Sequence, residues 1–173
     1  SSKKNYINFY NNEIENLGNI LMENKIREVN KLGQYLKKGE FEKLFNMVGV
    51  LNQSDPKQKY LENSETIYKQ RYEETQKIDY LYNVLISQIL QRKVSNALIT
   101  VKSILNFDDL NGNTYLTESI LNTYLMKPIE AKEAIKKSKI YNKSSESKEI
   151  LNIIEGVVNI MNFKFVNAYE LLS

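Results

Sequence analysis

At 173 residues, with 42% apolar and 26% charged residues, the chain has the composition of a globular domain rather than a disordered one. It contains no Cys and no His, which rules out disulfides, thiolate and imidazole metal sites, cysteine nucleophiles and the commonest proton shuttle, so no metal or cofactor is predicted. The net charge is only +3 and the lysines are dispersed, which argues against nucleic acid as a partner, since phosphate binding needs a concentrated basic face.

No apolar run approaches the roughly 20 residues that span a bilayer, and no signal peptide is recognisable. The abundance of Lys, Asn, Ile and Tyr is a bias of AT-rich bacterial genomes. In chain order, residues 1–5 are predicted to fray. From Tyr6 onward Ile7, Tyr10, Ile14, Leu17 and Leu21 recur at steps of three and four, and a second series, Ile26, Val29, Leu32 and Leu36, follows with a shift of phase. The shift predicts one long kinked helix or two helices broken near Asn24. That helix ends at Lys38 with Gly39 as a left-handed cap, and a second starts at Glu40, with Phe41, Leu44, Phe45 and Val48 on one side. Asn52–Pro56 predicts a turn with Ser54 or Asp55 as N-cap and Pro56 at the first helical position. Residues 57–93 lack Gly and Pro and predict one long helix, with a break near Asn63-Ser64 as the alternative. Helices then follow over 94–106, 114–126, 128–141 (opened by Pro128) and 146–162 (capped by Ser144 or Ser145), with a short last helix from Phe165.

The second half repeats. Segments starting at Leu85, Ser119 and Gly156 share one pattern, in which an apolar helical run meets a Lys (Lys93, Lys127, Lys164), turns, and starts a helix with Ala four residues on (Ala97, Ala131, Ala168). The starts lie 34 (85 to 119) and 37 (119 to 156) residues apart, as in stacked helix pairs. The small residues predict close helix approach, aided by Ser119 and Gly156 on the first helices. Further upstream Leu32-Gly33, Tyr35, Gly39 and Phe41 fill places that tetratricopeptide repeats give to a Leu-Gly pair, a Tyr, a Gly and a turn aromatic, although one residue fewer separates the glycines than in that family and Leu44 stands where Ala is usual. On these residues the chain resembles the tetratricopeptide repeat (TPR) family. The resemblance implies an all-α fold of about seven to eight helices, stacked as antiparallel pairs in a right-handed solenoid. It also implies a single domain over 1–173, with N-terminal helices in 1–56 and TPR-like pairs in 57–173.

Repeats create columns. Gln88, Asn122 and Asn159 form an amide column of the kind that clamps an extended peptide backbone, and Lys93, Lys127 and Lys164 form a basic column at the turns for an acidic partner. The competing explanations are bonds to neighbouring helices and solvated helix C-termini. Asp108–Asn113 gathers oxygen ligands, but its spacing fails the calcium-loop pattern. Glu73, Glu74 and Asp79 have no converging partner for acid–base work. Most Tyr residues, including Tyr6, Tyr10, Tyr60, Tyr68 and Tyr82, stand at spacings suited to a core.

The implied function is a non-enzymatic scaffold binding a partner protein or peptide on a helical groove. Two other classes stay open: the ligand-sensing domain of a bacterial regulator, and the body of an envelope lipoprotein tethered through a Cys ahead of the polar start Ser1-Ser-Lys-Lys. The corresponding locations are the cytoplasm and the bacterial envelope.

Overall fold

One uninterrupted helix, α1 (Ser2–Lys38), occupies the first fifth of the chain. The computed structural model describes residues 1–142 and 144–173, with the side chains of 165, 166 and 168 outside the described set. After α1 come α2 (Phe41–Ser54), α3 (Lys59–Thr75), α4 (Ile78–Leu90), α5 (Val94–Phe107), α6 (Gly112–Tyr124), α7 (Pro128–Tyr141) and α8 (Ser145–Leu172). Among the described residues these eight helices occur without any strand, in line with the all-α expectation. Connections of two to four residues fold neighbours back on each other. Helix α4 packs against α1, α3 and α5, and α6 packs against α5, α7 and α8. Buried side chains from Ile26 on α1 to Val158 on α8 form one connected apolar cluster.

Three of the turns are built alike. After α1, α4 and α6 a residue in the left-handed region stops the helix: Gly39 (φ 72), Arg92 (φ 61) and Met126 (φ 58). Its N–H returns to the carbonyl three residues back, and the next N–H returns five residues back, Glu40 to Tyr35, Lys93 to Gln88 and Lys127 to Asn122, each at 2.9 Å. This is the Schellman stop, which satisfies carbonyls orphaned at a helix end. The carbonyl of that next residue then receives the N–H of Leu44, Ala97 or Ala131 and so opens the following helix. The sequence repeat therefore encodes a local stop-and-restart geometry, and Ala97 and Ala131 are fully buried as the close approach requires.

Several expectations are corrected. The N-terminal helix has no break at Asn24. Residues 57–93 divide at Gln76-Lys77 rather than near Asn63-Ser64, because Gln76 takes a left-handed conformation (φ 56) and its side-chain amide donates to the Tyr72 and Glu73 carbonyls. Pro56 lies in a turn, and α3 begins behind Gln58. The restart from Phe165 is absent because α8 runs on to Leu172. Gly156 faces open space instead of a neighbouring helix, and Ala168 lies outside the described side chains.

Candidate functional site

The predicted columns do not assemble into one surface. Gln88 is buried, donating to Glu65 Oε2 at 2.9 Å and accepting from Thr100 Oγ1 at 2.6 Å. Asn122 is buried as well, while Asn159 is exposed on α8 beside a groove of about 380 Å³ shared with α7. Lys93 is committed to Glu65 at 2.8 Å, Lys127 is an exposed turn residue, and Lys164 sits in the middle of α8. The Gln88 amide is taken up by bonds inside the protein and Asn122 is buried, so the Gln88–Asn122–Asn159 column is not a continuous binding face.

Glu65 is instead a structural hub. Burial pushes its carboxyl upward, but hydrogen bonds from Lys93, Gln88 and Gln91 and the charge of Lys69 outweigh burial and hold the group at about 2. A second polar junction uses the oxygen-rich loop. Asn111 caps α6, accepting from the Asn113 and Thr114 N–H groups. Its amide donates to the Lys37 carbonyl at 3.1 Å and to the Tyr82 hydroxyl at 3.2 Å. Asn113 Oδ1 accepts from Ser147 Oγ at 2.6 Å, so the loop ties α1, α4, α6 and α8 together. Asp79 pairs with Lys37 at 2.9 Å, and Glu73 and Glu74 lie exposed on α3.

The buried tyrosines are core residues with partners for their hydroxyls. Tyr68 donates to the Ile26 carbonyl at 2.6 Å, Tyr60 to Asn52 at 3.0 Å, and Tyr82 bonds Thr114 at 2.6 Å; desolvation pushes each phenol up to about 12. Tyr6 and Tyr10 are not core. They belong to the feature that the sequence expectations missed.

That feature is the first half of α1. Every residue from Ser1 to Leu21 is exposed, and contacts with the body begin at Met22. This arm is about 30 Å long at the helical rise of 1.5 Å per residue. Along it Ile7, Tyr10, Ile14, Leu17 and Leu21 form a single row in steps of three, four, three and four, each between 54% and 66% exposed. Tyr6 and Ile20 flank the row and Phe9 lies off it; all three are also more than half exposed. No family model, curated protein or solved structure matches this chain. The arm is therefore interpreted from its physics.

Contiguous apolar patches are rare on the surface of soluble monomers. Its companion on the same helix, Met22, Ile26, Val29, Gly33 and Leu36, covers the body. At 100° per residue the two rows are centred about 100° apart around the helix axis. The phase shift near Asn24 thus marks where the apolar row of α1 passes from solvent to the body. The sequence signal was present in the spacing; what spacing alone did not show is that none of the described residues covers the first row.

Among the described residues no group of three or more Asp and Glu side chains is placed to hold a metal ion, and no helix is long and apolar enough to cross a membrane.

Proposed function

We propose that this chain is a non-enzymatic protein–protein interaction module, a TPR-like helical body from which the α1 arm projects as the recognition element. The carrying observation is the exposed row Ile7, Tyr10, Ile14, Leu17 and Leu21 on a helix anchored at its other end in the core. Helical recognition through anchors at such spacings is a standard mode of protein association. The three equivalent helix stops support the TPR-like reading of the body, in which the helix pairs position the arm instead of lining a peptide groove.

The test is cross-linking and recovery of bound proteins from a lysate of the source cells, comparing wild type with Ile14→Asp. Residue 14 is 66% exposed, so the substitution leaves the body folded. The module reading expects at least one protein, this chain included, to be captured by the wild type and lost with the variant. Identical recovery from both would remove the arm from the function.

A further inference from the structure

Resting on the interaction-module reading, we infer that the arm's partner is the arm of a second copy of this chain, paired in a parallel two-stranded coiled coil. The first argument is the period. Steps of three and four sustained from residue 7 to residue 21 repeat every seven residues, so the row stays on one seam only against a helix of matching period. A second copy of α1 offers that seam along its whole length, and a two-fold pairing makes one surface complementary to itself. Helix α8 carries only the fragment Ile153, Val157 and Ile160 before Lys164 interrupts it.

Residue identity sets the orientation. With Ile7, Ile14 and Leu21 at the first core position of each heptad and Tyr10 and Leu17 at the second, two of three first positions carry β-branched Ile and one of two second positions carries Leu, which leans toward the combination that favours two parallel strands. In the parallel register the flanking positions bring Tyr6 opposite Asn11, Glu13 opposite Gly18 and Ile20 opposite Lys25 of the other copy. None of these pairs like charges.

The body permits the pairing. Because the body lies about 100° around α1 from the seam, two arms can meet face to face with their bodies outside. The seam also ends where the body starts: the next core positions are Asn24, Glu28 and Lys31, the last two ion-paired with each other at 3.1 Å. Two copies of Glu28 opposite each other repel, so the helices diverge beyond Leu21 and leave room for the bodies.

Burying five seam residues from each copy, with their flanks, removes on the order of 1,000 Å² from water, which is the lower end of a specific interface. The dimer is accordingly concentration-dependent rather than permanent. A membrane surface fits the arm less well. Residues 1–25 hold Lys3, Lys4 and Lys25 against Glu13, Glu15 and Glu23, whereas interfacial helices carry an excess of Lys and Arg on the polar face.

The test is sedimentation velocity on the full chain over a wide concentration range. The wild type is expected to shift from monomer to dimer, Ile14→Asp to weaken association by roughly 100-fold, and Phe9→Asp, exposed but off the seam, to leave it unchanged. A circular dichroism spectrum and melting curve of Ile14→Asp that match those of the wild type at dilutions where it is monomeric separate lost pairing from lost folding. The chain has no native Cys, so Ile7→Cys reports orientation: it closes an intermolecular disulfide in a parallel pair, while an antiparallel pair in which residue 7 meets residue 24 holds the two sulfurs about 25 Å apart.

A wild type that stays monomeric at every concentration overturns the proposal. So does a dimer indifferent to Ile14→Asp, one equally sensitive to Phe9→Asp, or one that Ile7→Cys fails to cross-link. Binding of the monomeric chain to vesicles of phosphatidylcholine and phosphatidylglycerol overturns it in favour of a membrane. Capture of a different protein, lost with Ile14→Asp while self-association is absent, overturns the second-copy partner but leaves the interaction module standing.

Discussion

At Met126 and Arg92 a side chain occupies backbone geometry that only glycine adopts without strain, with φ of 58 and 61. Both residues are exposed, so neither conformation is compensated by packing of its own side chain. Met126→Gly and Arg92→Gly are expected to stabilise the fold by about 0.5–1 kcal/mol each, since relief of left-handed strain outweighs the added freedom of the unfolded chain. The mirror change, Gly39→Ala, combines that strain with a collision against Asn113 and Ser147 and is expected to destabilise by about 2–4 kcal/mol. Chemical denaturation of the three variants checks the pair of signs together.

Glu65 makes a separate prediction in pH. Its carboxyl is held at about 2, below the ordinary 4.5, so its contribution is fully present above pH 4.5 and lost as pH falls toward 2. Glu65→Gln is expected to lose about 2 kcal/mol at neutral pH, with the gap to wild type closing across that window. A gap that stays constant between pH 6 and pH 3 contradicts the ion-pair account.

At the scale of elements, the structure separates what residue patterns encode from what packing decides. The stops at Gly39, Arg92 and Met126 were legible because the same returning hydrogen bonds impose the same spacing of apolar, turn and small residues. The break at Gln76-Lys77 was not, because it depends on an amide side chain folding back on two carbonyls without Gly or Pro to mark it. The continuation of α8 was equally hidden, as Phe163-Lys164 looks like the other turns in sequence. Gln88 shows the same limit for the site. Its place in a repeat column is visible in sequence, whereas its burial against Glu65 requires α3 to fold onto α4.

The arm of α1 was half legible, since its row was visible and its isolation was not. A helix of this length with no tertiary support is marginal in water. Amide hydrogen exchange across residues 2–21 is therefore expected to be fast at low concentration and to slow as concentration rises, while residues 26–36 stay protected throughout. Equal protection in both segments at high dilution counts against an unsupported arm.

For the whole molecule, eight helices share one apolar cluster, with two polar hubs fixing how they meet. Glu65 ties α3 to α4 and to the turn before α5; Asn111 and Asn113 tie the end of α1 to α4, α6 and α8. The body thus holds one end of α1 firmly and leaves the other in solvent.

The unbroken backbone of α1 gives this arrangement a mechanical meaning. Between Ser2 and Lys38 the helix has no left-handed residue and no proline, so it lacks a hinge. Once the arm is paired, a pull or twist applied at Tyr6 is carried about 45 Å along the helix, past its buried row, to the Lys37 carbonyl that Asn111 and Asn113 bond. Load on the arm therefore falls on the junction that joins α1 to α6 and α8, and that junction sets the tension the molecule can carry.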